Sequence, residues 1–440
     1  MTMSNGFWPR WTLKTEGAIM PDERLPLGQS LVVGLQHVVA MFGSTVLAPI
    51  IMGFNPNVAI LFSGIATLIF FVIVKGKVPS YLGSSFAFIG PVAAAAGSGP
   101  EVNIPLALGG IIAAGVVYAI IGFIVQIVGH RWVEKVMPPI VTGSIVAAIG
   151  LVLAPLAVQS ASGISAANPG GDAFSRWIAL ATVLAIGLIT VYAPGSLRRI
   201  PILLGGAFGY LFYYLLTNVG GYGPAIDFTG VQAAPWFGLP AFTTPEFSWK
   251  SVSLIAPVAI ILVAENLGHI KAIGAMTGRS YDSYLGRAFI GDGIATIISG
   301  SFGGTGVTTY AENMGVMAVT RIYSTLIFVI AAFFALILGF SPKFGAVIQT
   351  IPGPVLGGLA IVVFGLIAAT AGRIWVENNV SFANPRNLIT AAVTLILGAG
   401  NFKLDVFGFE LEGIGTATFG AIILYHILNG FQNKKEEPIL

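Results

Sequence analysis

Long apolar runs alternate with short polar breaks along the chain. Taking Gly, Pro and charge as the breaks gives spans at about 28–50, 55–74, 102–129, 136–157, 174–194, 200–218, 251–270, 285–300, 322–341, 350–371, 385–399 and 412–430. Most approach or exceed the roughly 20 residues that cross a bilayer as a helix. Two further apolar stretches, Tyr81 to Ala96 and Val307 to Thr320, are too short to cross as regular helices. If each is a half-helix completed by extended backbone, the pattern predicts an all-α polytopic membrane protein of about fourteen transmembrane segments.

Composition sharpens this reading. Of the 440 residues, 55% are hydrophobic and 9% charged, with a mean hydropathy of +0.88; soluble chains carry roughly 25% charge. The 57 Gly and 25 Pro sit inside apolar runs, which points to close helix contacts and bent or broken helices. The 21 basic residues are scattered among short loops, so the net charge of +3 marks no nucleic-acid surface. With no Cys, disulfides, haem thiolates and iron–sulfur clusters are excluded. The polar N-terminus is too long for a signal peptide.

Fourteen crossings with an inside N-terminus place Arg10, Lys14, Arg24, Lys75, Lys77, Arg131, Lys135, Arg198, Arg199, Lys271, Arg279, Arg287, Arg321, Arg373, Arg386, Lys434 and Lys435 on the cytoplasmic side. Arg176, Lys250, Lys343 and Lys403 remain outside. An internal repeat agrees. SGIATLI at 63–69 matches DGIATII at 292–298, GSSFAF at 83–88 falls opposite TTYAEN at 308–313, and PIVTGSIVAAIGL at 139–151 matches PVLGGLAIVVFGL at 354–366. Seven crossings per half is odd, so the second half enters in the opposite sense. That gives a 7+7 inverted repeat whose two broken segments meet near the midplane. Backbone groups at that depth are tolerated only where they pair or line a cavity, so Gly83 to Phe86, with Ser84 and Ser85 between, and Thr308 to Ala311 are expected to offer N–H and C=O groups to a polar ligand.

Ionisable side chains within spans mark function. Glu265 and His269 lie four apart on one helix face: a carboxylate that accepts N–H donors beside a His that relays a proton. The alternative is a helix-end ion pair with Lys271. Glu312 opens the second short helix, where the helix dipole welcomes an anion, and Asn313 beside it is expected to brace the partner broken segment. Asp292 reads either as an N-cap or as a group that holds His37 or Ser84, or bears a transported proton. His37 interrupts the apolar face of the first span. Phe86 is placed to cover a planar ring, with Tyr310 and Phe364 as further wall candidates. No Walker A, HExxH, Cys/His cluster or potassium-filter sequence is present, so neither a cofactor nor a metal is expected and an enzyme is disfavoured. Two carboxylates without a basic partner suit a neutral ligand with N–H donors better than an anion.

Taken together, QHVVAMFG at 36–43, YLGSSFAF at 81–88, AENLGH at 264–269 and YAENMGVMAVT at 310–320 resemble the nucleobase:cation symporter-2 family, chiefly its bacterial uracil and pyrimidine permeases. The resemblance implies proton symport by alternating access in the inner membrane, with both termini cytoplasmic and a possible homodimer. It implies a core of 28–129 and 251–341, a gate of 136–218 and 350–430, an external connection at 219–250, and cytoplasmic ends at 1–27 and 431–440. It also implies that Glu265 and Glu312 bind the base, His269 couples protons, and Phe86 and the Ala311 backbone line the pocket. Glu312-Asn313 stands where purine-selective relatives carry Gln-Asn, which favours a pyrimidine. Phe364 replaces a Tyr of uracil carriers, which leaves uracil against thymine open. A purine symporter and a channel or passive facilitator are the alternatives.

Overall fold

The structure, a computed structural model, describes residues 9–97, 102–165, 168–194, 197, 200–406 and 409–432. Arg198, Arg199, Lys434 and Lys435 of the charge pattern, and the extreme ends of the two terminal segments, lie outside these residues.

Helices dominate, because at membrane depth a backbone polar group must be satisfied within its own segment. In chain order they are α1 (Leu27–Met52), α2 (Pro56–Ile73), α3 (Ile89–Ala96), α4 (Ile104–Val128), α5 (Arg131–Val136), α6 (Pro139–Val152), α7 (Ala154–Ala161), α8 (Ala173–Tyr192), α9 (Pro201–Tyr214) and α10 (Thr229–Ala233). The second half holds α11 (Trp249–Ile255), α12 (Val258–Thr277), α13 (Leu285–Ser301), α14 (Ala311–Thr320), α15 (Thr325–Gly339), α16 (Pro342–Gln349), α17 (Gly353–Glu377), α18 (Pro385–Ala399) and α19 (Ile414–Gln432). Their ends follow local chemistry. Asn55, Asn103 and Asn384 cap α2, α4 and α18 through their side chains, each with Pro in the first turn. Gly53 and Gly278 end α1 and α12 in the left-handed conformation, at φ 78 and 64.

Among the described residues, eight helical stretches are long and apolar enough to cross a membrane. The number is nine if α15 and α16, bent by 81°, form one span. The other expected spans fall on shorter helices: α13, α18 and α19, with α3 and α14 in the two broken segments. The extended backbone expected in the two broken segments is present, but the all-α expectation elsewhere needs correction, because the described residues hold three two-stranded ribbons in all. These are β1 (Thr12–Leu13) with β2 (Glu23–Arg24), β3 (Leu82–Ser84) with β4 (Val307–Thr309), and β5 (Leu404–Val406) with β6 (Phe409–Leu411). Runs this short carry too little alternation to register as strands.

Packing is repeated in kind across the two halves. α13 lies along α4 and α15 along α2; α17 packs on α6 and α8, α18 on α6 and α19, and α8 on α9. The α4–α13 contact is a close backbone approach, and glycine makes it. A Cβ on Gly293 would stand 2.6 Å from the Ala119 nitrogen, and one on Gly115 would stand 2.9 Å from the Gly293 carbonyl.

The N-terminal segment is folded onto the second half. Ile19, 1% exposed, donates its N–H to Arg321 C=O (2.9 Å) and accepts from Tyr323 N–H (2.7 Å). Asp22 pairs with Arg279 at 2.9 Å, and the Trp11 indole donates to Thr325 Oγ1 at 3.0 Å.

Gly293→Val tests the glycine contact. It forces α13 off α4 and is expected to destabilise the protein by about 1–3 kcal/mol, read as a lower melting temperature in detergent, whereas Gly268→Val, which has open space around it, changes little.

Candidate functional site

The site is built on the β3–β4 ladder. Leu82 pairs with Thr309, Gly83 with Thr308 and Ser84 with Val307, antiparallel. Tyr310 N–H to Tyr81 C=O (3.0 Å) and Ser85 N–H to Gly306 C=O (2.9 Å) close its ends. The repeat that sets GSSFAF opposite TTYAEN matches position 83 to position 308, and these two residues pair with each other. The ladder is therefore symmetric about its central pair. Gly83 has no room for a side chain: a Cβ there would meet the Tyr310 hydroxyl at 2.5 Å and Thr45 Oγ1 at 2.7 Å. In that space the Tyr310 hydroxyl bonds to Thr45 (2.9 Å) and to the Ser84 carbonyl (2.9 Å).

Each strand leads into a short helix. After β3, Ser85 caps the turn at 86–88 by accepting from Ala87 N–H, and Phe86 meets Phe364 of α17 edge to face at 5.8 Å. After β4, the exposed Ala311 opens α14. Glu312 follows in the first turn and accepts a hydrogen bond from Ser44 of α1. α12 runs beside both broken segments. On it, His269 bonds through Nδ1 to Thr309 Oγ1 at 2.8 Å.

The half-buried Glu265 shares this region. It has no hydrogen-bond or ion-pair partner among the described residues, so its oxygens are open to a ligand. Lys271 does not reach it, being held by Glu134 (3.1 Å) and Asp282 (2.7 Å). The Lys271 bond holds the Asp282 carboxyl below the usual carboxylate range. Among the described residues no basic side chain pairs with Glu265, Glu312 or Asp292.

Three expected residues have partners other than those foreseen. Asp292 lies within α13 rather than at its N-terminus. It binds neither His37 nor Ser84, but accepts at Oδ2 from Asn266 (2.8 Å) and Tyr118 (3.3 Å). Asn313 braces α1 instead of the partner strand, donating to His37 Nδ1 and to the His37 carbonyl, both at 3.0 Å. Ser84 Oγ bonds to Thr305 Oγ1 at 2.5 Å. For Asn313, as for Asn266, the cause is helical geometry: a residue next to a site-facing Glu points about 100° away, into the packing between helices. His37, Asp292, Asn266 and Asn313 are all fully buried.

Ser44, Thr45, Tyr118 and Asn266 were not anticipated. The triplet AEN occurs at both 264–266 and 311–313, and this repetition marks Asn266 as the counterpart of Asn313. Ser44 follows His37 by seven residues, on the same face of α1. Tyr118, a lone Tyr in an apolar run, carries no such signal.

Fold and site together describe a multi-pass membrane permease. A family model described as "Permease family" matches residues 28–407, and the chain belongs to that family, the nucleobase:cation symporter-2 permeases. It is 58% identical over 429 residues to the Escherichia coli (strain K12) protein titled "Putative pyrimidine permease RutG", covering 96% of this chain and 95% of the relative. It is 40% identical over 410 residues to the uracil permease of the same strain, covering 93% of each. Among solved structures, the transmembrane domain of the cyanobacterial bicarbonate transporter BicA aligns at TM-score 0.65 and 18% identity, over 91% of this chain and 97% of that one. The murine anion transporter Slc26a9 in its inward-facing state aligns at 0.66 and 13%, over 95% and 69%. At these identities the structural likeness establishes the fold alone. The relatives are permeases, and the chain is a transporter rather than an enzyme.

The Asn266 anchor is tested by Asn266→Leu. It strips donors from Asp292 and from Tyr118, which Asn266 also reaches at 2.9 Å, and is expected to cost about 1–3 kcal/mol of stability. Combined with Tyr118→Phe in a double-mutant cycle, the losses are expected to be non-additive by about 0.5 kcal/mol or more.

Proposed function

We propose that this permease imports uracil or a closely related pyrimidine nucleobase together with protons, by alternating access. The observation that carries the reading is the unpartnered Glu265 carboxylate, set beside two broken segments and Glu312 with no basic side chain paired to it. Uracil is planar and neutral, with N–H and C=O groups alternating along its edge. Glu265 accepts from the ring N–H groups, Glu312 at the head of α14 accepts from the other side, and backbone at Ser85 and Ala311 completes the edge. Phe86, held against Phe364, covers the ring face, and Tyr310 fixes the strands below it. His269, tied through Nδ1 to Thr309, has Nε2 available to pass a proton to or from Glu265, while Asp292 and His37 support coupling from behind. The names of the relatives, pyrimidine and uracil permeases, support the substrate class.

The same proposal includes fourteen segments in a 7+7 inverted repeat, for which the self-symmetric ladder and the matched helix packing are the support. Segments at 28–129 and 251–341 form the core and carry the site. Segments at 136–218 and 350–430 form the gate against which the core moves, with 219–250 as the external connection. The protein resides in the bacterial inner membrane with cytoplasmic termini, as a homodimer. An anion substrate, like those of the bicarbonate and anion transporters that share the fold, is disfavoured because both site carboxylates would repel it.

Radiolabelled uracil uptake in a permease-deficient bacterium, at two external pH values, tests the reading. Each pH unit of inward gradient is worth about 1.4 kcal/mol, or roughly tenfold accumulation per proton. Uptake is expected to saturate, to rise as external pH falls, and to collapse with an uncoupler; Glu265→Ala is expected to lose it. Xanthine and urate should not compete, and competition by thymine decides between uracil alone and a wider pyrimidine range. Competition by the purines instead points to the purine symporter, whereas uptake that ignores pH and uncoupler points to a passive facilitator.

A further inference from the structure

In an antiparallel ladder, alternate residues turn their N–H and C=O groups outward. Tyr81, Gly83 and Ser85 face the partner strand here, so Leu82 and its counterpart Val307 face away. Both are buried, at 0% and 1% exposure, where an unpaired backbone group is costly. Each is met by one threonine. The Leu82 N–H donates to Thr67 Oγ1 at 2.9 Å, and the Val307 N–H donates to Thr296 Oγ1 at 3.2 Å. The Thr296 hydroxyl returns its proton to the Val307 carbonyl at 3.2 Å. Thr67 shares its proton between the Leu82 carbonyl at 3.4 Å and the Ser63 carbonyl one turn back at 2.8 Å.

The two threonines hold the same place in the repeat. Thr67 is the fifth residue of SGIATLI on α2 and Thr296 the fifth of DGIATII on α13. The correspondence that carries Gly83 onto Thr308 also carries Leu82 onto Val307. Both hydroxyls are buried, at 1% and 0% exposure, and neither helix offers another side-chain bond to those two backbone groups among the described residues.

We propose that Thr67 and Thr296 are a matched pair of positioning residues. Each pins the outward edge of one strand and so fixes where the broken segments present their free backbone groups to the substrate. Neither touches the substrate. The assignment deepens the transport reading above and rests on it for its functional arm, but its structural arm is independent of substrate identity.

The test uses Thr67→Val and Thr296→Val, which keep shape and remove the hydroxyl, with Thr67→Ser and Thr296→Ser as the rescuing variants. Thr370→Val, at an exposed helix position, is the control. Amide hydrogen exchange of the ligand-free full-length protein reads the peptides over residues 80–88 and 304–312. Uracil uptake reads KM and maximal rate separately. Each Val variant is expected to speed exchange in its own strand peptide by about tenfold and to raise KM by a similar factor, with maximal rate changed much less. The Ser variants restore both, and the control changes neither.

Unchanged exchange in either Val variant overturns the assignment. So does faster exchange with wild-type KM, or failure of Ser to restore KM. If the wild-type protein takes up no uracil, the transport reading fails instead, and the threonine assignment is decided by exchange alone.

Discussion

At membrane depth no water is present to complete a backbone hydrogen bond, and the centre of this molecule is arranged around that constraint. Helices meet it internally. The two broken segments do not, and the antiparallel pairing of residues 82–84 with 307–309 is what lets extended chain exist there at all. Much of the candidate site is attached to that ladder: the head of α14 with Glu312, the turn with Phe86, and His269 through its bond to Thr309. The hydroxyl of Tyr310, seated over Gly83, ties it to α1 through Thr45.

A second layer holds the carboxylates. The residue after each site glutamate is an asparagine that turns away and anchors its helix elsewhere, Asn266 on α4 and α13, Asn313 on α1. Beside each glutamate the helix is therefore anchored by a neutral amide rather than by an ion pair. This leaves the carboxylates free of fixed counter-charges, which is what the proposed coupling of protons to a neutral base requires. An Arg or Lys in the same place would hold the carboxylate ionised and in a salt bridge.

Much of this was legible in the sequence. Apolar runs located the helices within a few residues, because lipid imposes one simple rule on composition. The two stretches too short to cross were the broken segments, and the repeat between Gly83 and Thr308 located the pair that meets. Glu265, His269, Glu312 and Phe86 stood out because charge or position made them anomalous. The partners of Asp292 and Asn313 were not legible, since which of several helices faces a buried side chain is decided by tertiary packing. Tyr118 illustrates this well: nothing local separates it from other aromatic residues of apolar spans, yet it bonds to both Asn266 and Asp292. The ribbons at 12–13 with 23–24 and at 404–406 with 409–411 were missed for a different reason, being shorter than any period they could display.

The N-terminal segment that folds against residues 321–325 has a consequence for the order in which the molecule is made. The Pro21 carbonyl waits for the hydroxyl of Thr325, 304 residues later, about 15–60 s at bacterial synthesis rates of roughly 5–20 residues per second. During that interval its apolar member, Ile19, has no native place to be buried. This early part of the chain is thus among the last to lock, and its docking reports that α14 and the start of α15 have reached their final positions.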